Sequence, residues 1–481
     1  MPKTKMHDLL ILLPGITGSV LRRTDTNSDL WAISGQALWQ MLKSHTKELQ
    51  QLRVAPHDPR KPPPQTHIAA TELINDFHGV FGLGGIDGYD TTLQSIADAF
   101  DVVAGTPDDK NDRANLIAFP YDWRLSNRAA AAHLAVFVER RLPAFRAITG
   151  NPGAKVLLVA HSMGGLVSRY YLEVLRGWTT CRALITFGTP YRGAVNALNF
   201  LANGYKNVLV DLTEIMRSMP GVYELLPYYE ALRVGTEWKR PADVAVLPDD
   251  TFGYAQAALD FHATIAAHIA ANSNDAAYLK SRYPIFPVVG IGQTTLNSAV
   301  FESGGVVASE LRPSWVPQEL DGGDGTVPRI SASPEDRKDD LREVFFAERH
   351  GSLQRNVHIL TNLIARLQQI QAPHLWKPAQ GGTEVLAAPI GLDVQPLYLP
   401  QEPVVLRVDA EGIAPFGALR GRITGRAGTK LDKQVGFVRQ DGRWVAEAGE
   451  LAAGQYRVGV DVVPGGPGAP IPVHDVFEVA G

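Results

Sequence analysis

A single cysteine, Cys181, in 481 residues rules out an intrachain disulfide and fits a reducing compartment. No run of 18 apolar residues occurs, so no membrane-spanning helix is expected. Charge of one sign is not in excess either. There are 46 Lys and Arg against 50 Asp and Glu, a net charge of −4, which gives no general attraction to nucleic acid. Internal repeats, low-complexity tracts and long like-charge runs are missing. Composition is ordinary for a globular protein, and the length exceeds one ordinary core, so two or three domains are expected. Lys3 and Lys5 before Leu9-Leu10-Ile11-Leu12-Leu13 imitate a signal peptide. The run is brief, Asp8 interrupts its start and no small-X-small site follows, so it reads as a first strand.

The most informative positive feature is Ala160-His161-Ser162-Met163-Gly164, set directly after the apolar run Lys155 to Val159 and before a helical stretch from Gly165. A strand running into small-X-Ser-X-Gly and then a helix is the setting of a nucleophile elbow. The turn is so tight that only small residues fit two before and two after the serine.

Short apolar runs alternate with helical patterns to about residue 370, with strands predicted at 8–13, 115–119, 155–160, 182–187, 285–291 and 342–347. Such alternation implies a parallel sheet with helices on both faces, with chemistry beyond the carboxyl ends of the strands. Segments 22–92 and 195–282, the second mostly helical, are extra to this plan and read as cap or lid insertions. The expected architecture is α/β: an α/β-hydrolase over 1–370, a Pro- and Gly-rich linker over 371–383 and a small all-β sandwich over 384–481. In the last, Val435 to Gln440 and Arg443 to Ala446 read as a hairpin across Asp441-Gly442. No chemical constellation falls after 384, so the catalytic part is expected to fold and act without it.

A nucleophilic serine needs a base, and the base needs an orienting acid, in the chain order Ser, Asp or Glu, His on this plan. Asp324, in the turn-rich Asp321-Gly322-Gly323-Asp324-Gly325, is the first choice of acid and Asp321 the second. His350, between a last strand and a helix, is preferred as base over His358, which lies inside the helical pattern. Met163 N–H follows the nucleophile, and Ile16 N–H follows the first strand; together they are the expected oxyanion hole. His161 is expected to pack under the turn, pointing away from Ser162.

Leu13-Pro14-Gly15-Ile16-Thr17-Gly18-Ser19, Tyr121-Asp122-Trp123-Arg124, His161 to Gly165, Gly188-Thr189-Pro190, Asp324 to Pro328 and His350 follow one another in order. As a set they resemble the lecithin:cholesterol acyltransferase family, which includes lysosomal phospholipase A and phospholipid:diacylglycerol acyltransferases. Met219 to Pro227 is similar to a cap segment of that group. The resemblance spans about 1–365. It implies a Ser–Asp–His triad, an acyl-enzyme and ester-lipid donors, with Ser162 as nucleophile, Asp324 as acid and His350 as base. Secreted members carry a disulfide-closed lid near the N-terminus; this chain has no cysteine there.

The leading expectation is a serine acylhydrolase or acyltransferase on ester lipids. An esterase on small soluble esters and an inactive binding module are the alternatives. Trp31, Trp39, Phe81 and Leu83 are the candidate substrate contacts. No cofactor, metal or nucleic acid is expected. The expected setting is cytoplasmic, with peripheral membrane contact and a protein partner for the C-terminal domain.

Overall fold

The computed structural model describes residues 3–31, 49–74, 88–205, 211–248, 253–281, 283–302, 304–336, 343–372, 384–385, 390–409, 418–426, 428–440, 442–463 and 472–480. Its centre is an eight-stranded sheet of β1 (Leu9–Leu13), β2 (Ala104–Gly105), β3 (Leu116–Ala118), β4 (Val156–His161), β5 (Cys181–Phe187), β6 (Ile285–Gly290), β7 (Val344–Phe346) and β8 (Glu384–Val385). The order is β8-β7-β6-β5-β4-β1-β3-β2, and every neighbouring pair is parallel. Every residue of β1, β4 and β6 is buried. Unbroken apolar runs rather than alternation are what a sheet covered on both faces demands. Two packed helix pairs accompany it: α1 (Asp90–Ala99) with α6 (Val357–Gln371), and α2 (Asn127–Thr149) with α3 (Met163–Glu173). Ser126 caps α2, accepting from Arg128 N–H. Cys181 opens β5, paired with Val156 of β4, and burial raises its thiol pKa far above the ordinary value. No described helix is long and apolar enough to cross a membrane.

The first insertion contributes an antiparallel sheet of Ser19–Arg23, Asp29–Trp31 and Ile68–Leu73. Among its described residues the second holds α4 (Val195–Asn203), α5 (Tyr254–Asn272) and three short α-helices. It is less helical than expected. Leu232–Val234 and Glu237–Lys239 form a hairpin, extended by Ser298–Glu302 and Gly305–Ser309 into a four-stranded sheet. Three-residue strands are too short to leave a period in the sequence.

After residue 390 the chain builds two sheets. One orders β9 (Gly391–Asp393), β11 (Val404–Asp409), β15 (Arg443–Gly449) and β14 (Val438–Gln440). The other orders β10 (Leu397–Tyr398), β17 (Val473–Val479), β16 (Gly454–Val463), β12 (Ala418–Arg426) and β13 (Asp432–Gly436). They share a core of their own, including Leu406, Val408, Val458, Val460 and Phe477. The expected hairpin is only partly formed. Val438–Gln440 pairs with β15, but Asp432–Gly436 pairs with β12 in the other sheet, so the chain changes sheets at Phe437. The expected linker differs too: Gln371 ends α6, and Glu384–Val385 add the edge strand beside β7 instead of starting the sandwich.

Candidate active site

Ser162 sits between β4 and α3 with φ 51° and ψ −124°, a conformation a non-glycine residue adopts only under constraint. The constraint is local. Ser162 N–H donates to Phe187 O at 2.8 Å, and Thr189 Oγ1 donates to Ser162 O at 3.0 Å. A Cβ on Gly164 would lie 2.5 Å from Pro14 O, which is why the elbow ends on glycine. The strain pushes Ser162 Oγ out of the strand and toward His350.

His350 opens a short 3₁₀ turn after β7. Its Nε2 lies 2.9 Å from Ser162 Oγ and its Nδ1 2.7 Å from Asp324 Oδ2. Because Asp324 Oδ2 accepts, Nδ1 carries the proton and Nε2 faces the serine hydroxyl as acceptor. Asp324 Oδ1 is held by the N–H groups of Thr326, at 3.0 Å, and Val327, at 2.7 Å. His350 N–H also donates to Asp324 O at 2.8 Å. Gly188, at φ +55°, passes this pair so closely that a Cβ would sit 2.8 Å from Asp324 Oδ2 and 2.9 Å from His350 Nδ1. The alternative candidates Asp321 and His358 are both solvent-exposed.

Ile16 borders the same cleft as Ser162 and His350, and Met163 is the first residue of α3. Neither N–H takes a partner among the described residues. Helix N-termini leave their first N–H groups free and carry a partial positive charge, so Met163 suits a developing oxyanion. The loop bearing Ile16 is braced from below: Tyr121 Oη donates to Pro14 O at 2.9 Å and Trp123 Nε1 to Ser19 O at 3.2 Å. Pro190, Ala194, Ala197, Leu225 and Val327 give the cleft an apolar wall.

Trp31 corrects its expected role. It is fully buried, donates from Nε1 to Thr17 O at 3.0 Å and stacks edge-on against Trp123, 5.3 Å away. It supports the Ile16 loop from behind and does not line the cleft; an indole with one polar atom and a buried carbonyl within reach is satisfied there. Trp39, Phe81 and Leu83 lie outside the described residues.

His161 does more than fill space under the turn. Its Nε2–H donates to His350 O at 3.0 Å, its Nδ1 accepts from Tyr89 Oη at 2.9 Å, and Tyr89 Oη accepts from Gly15 N–H at 2.8 Å. The chain of bonds joins the Ile16 loop to His350. Burial first, and the neighbouring His350 second, push the His161 pKa down to about 3, so the ring stays neutral. Nothing in the sequence marks Tyr89 for this place.

Residues 102–274 match the sequence profile of the lecithin:cholesterol acyltransferase family. This region is similar to that family, over about a third of the chain. The lecithin:cholesterol acyltransferase match contains Ser162, Tyr121 to Arg124 and Gly188 to Pro190; Asp324 and His350 lie beyond it and join the site by geometry. The human lysosomal phospholipase A and acyltransferase is 31% identical over 117 residues, 23% of this chain and 27% of that one. The dog protein of the same description is 30% identical over 117 residues, 23% and 28% of the two chains. The chain thus spans about a quarter of the length of the curated relatives it matches. The mature form of a Bacillus licheniformis lipase is similar with a TM-score of 0.31 at 13% identity, over 75% of this chain and 92% of that one. A likeness that weak adds nothing to the fold read from the strands themselves.

Proposed function

We propose that this protein is a serine acyl-transfer enzyme on ester lipids, of the phospholipase or lipase kind. The observation that carries the reading is the continuous chain from Ser162 Oγ through the His350 ring to Asp324, beside a cleft where Ile16 and Met163 N–H have no partner among the described residues. His350 Nε2 takes the proton of Ser162 as Oγ attacks the ester carbonyl carbon. The carbonyl oxygen becomes an oxyanion facing Ile16 and Met163 N–H. Asp324 holds the imidazolium that forms. His350 then returns the proton to the departing alcohol or lysolipid, leaving an acyl-enzyme on Ser162. Water, or an acceptor alcohol, repeats the sequence in reverse and frees the serine. The apolar wall of Ala194, Ala197, Leu225 and Val327 supports an acyl chain over a polar substrate. Peripheral contact with a lipid surface is part of this reading. The test is fluorophosphonate labelling of Ser162, followed by rates on phospholipids, triacylglycerols and p-nitrophenyl esters of rising chain length. An unlabelled protein, inactive on the whole panel, would sink the proposal; a preference for the shortest esters would replace lipids with small soluble substrates.

A further inference from the structure

Two loops carry the base and the acid of the site, and both are tied to residues beyond position 389. Glu348, two residues before His350, is 0% exposed. A carboxylate with no access to water needs donors on nearly every lone pair. Four are present. Arg349 N–H at 2.9 Å and Asn356 Nδ2 at 2.7 Å come from its own loop. His474 N–H at 2.9 Å and His474 Nδ1 at 3.3 Å come from β17. Asn356 in turn caps α6, its Oδ1 accepting from His358 N–H and Ile359 N–H. Glu348 therefore joins the two ends of the loop that presents His350, and β17 completes the joint.

Arg349 adds a second tie. Its Nε lies 2.7 Å from Asp475 Oδ2 of β17, and its Nη1 donates to Leu392 O of β9. The acid's loop meets the same residue. Gln293 N–H donates to Gly323 O at 3.0 Å, beside Asp324, while its side-chain amide donates to Ile390 O and accepts from Leu392 N–H, both at 2.9 Å. The peptide groups of Leu392 thus receive both loops, the acid's through N–H and the base's through C=O.

We infer that the C-terminal sheet pair is a positioning element of the active site: through Leu392, His474 and Asp475 it sets where His350 and Asp324 stand relative to Ser162. This rests on the serine acyl-transfer reading above. It reverses the expectation of a self-sufficient catalytic part, because a chain ending near residue 380 would lack half the donors of Glu348 and every partner of the Gln293 amide.

The test uses the full-length protein, its Asp475→Ala and Gln293→Ala variants and the double variant, on a short p-nitrophenyl ester. Active sites are counted by fluorophosphonate titration, and kcat is expressed per titrated site. Displacement of a reacting group by ~1 Å costs on the order of 100-fold. Each single variant is therefore expected to lower kcat per site by about 10- to 100-fold, with KM within about twofold, and to slow labelling by the same factor. Asp475→Glu should recover part of the loss. A role in packing alone would reduce the number of titratable sites and leave kcat per site unchanged, and that result would overturn the inference. If Asp475→Ala is insoluble, Arg349→Lys, which keeps the charge but loses the fork to Asp475 and Leu392, is judged by the same measure. Wild-type protein that takes no label would instead refute the serine reading, and the inference with it.

Discussion

Ser162 and its two partners are held by different means. The serine's backbone is pinned by Phe187 and Thr189, from the next strand and the loop after it. Its strain comes from a five-residue turn. His350 and Asp324 stand on loops that are secured through Glu348, Arg349 and Gln293 to Ile390, Leu392 and β17, partners 43 to 126 residues away from those three along the chain. The proposed nucleophile is a local product of its sequence, whereas the placement of the proposed base and acid is a product of tertiary structure. A hydrolase sheet can therefore keep a well-formed elbow while the rest of its site is tuned, or lost, from a distance.

Substitutions of graded severity sharpen that contrast. Ser162→Ala should lower kcat by on the order of a million-fold with the melting temperature unchanged, as loss of a triad nucleophile does; more than a tenth of the activity remaining would reject the assignment. Asp324→Asn should cost about 10⁴-fold in kcat, because the amide favours the wrong imidazole tautomer. Asp321→Asn, in the same turn but exposed, should be silent, and the reverse ranking would move the acid to Asp321. Gly188→Ala should cost about 100-fold in kcat, since its Cβ falls 2.8 Å from Asp324 Oδ2. Gly150, at φ +65° with nothing within 4 Å, is its control. Gly150→Ala should cost only about 1–2 kcal/mol of stability from the backbone and leave kcat alone. Equal losses of activity at the two positions would show that the contact is not what matters.

The last effect is one of stability alone and belongs to the C-terminal region. Burial pushes Glu478 of β17 up to about 7. A folded-state value above the unfolded one means that the native protein holds the extra proton. Stability is then full at pH below the ordinary carboxyl range and falls as pH rises to about 7. Glu478→Gln should remove this dependence, raising stability at pH 8 by about 1–3 kcal/mol and changing nothing at pH 4. Urea midpoints at the two pH values check it, and parallel curves for mutant and wild type would disprove it.

The sequence exposed this site unevenly, for physical reasons. Ala160, Gly164 and the apolar run before Ser162 declare the elbow because sterics leave no other residues there. All six predicted strands up to 347 are present, since fully buried parallel strands need unbroken apolar runs. The order and the loops of Asp324 and His350 single out the two residues that the structure brings to Ser162. What stayed hidden depends on long-range contact: Trp31 behind the Ile16 loop, His161 between Tyr89 and His350, and the amide of Gln293 on Leu392. The one available hint was Glu348-Arg349 directly before His350, a charged pair at the end of an apolar strand where a solvated loop has no need of one.

The sole thiol of the chain has a practical meaning. Cys181 is buried and protonated at the start of β5, beside the strand that delivers Ser162. Maleimides and disulfide reagents require an exposed thiolate. Native protein should thus remain unmodified for as long as β4 and β5 stay paired, and each modified molecule records one opening of the sheet. Alkylation followed by mass spectrometry becomes an intrinsic clock for sheet opening, with no probe to engineer. A cysteine introduced anywhere on the surface would be the one site that reagents reach in the folded state.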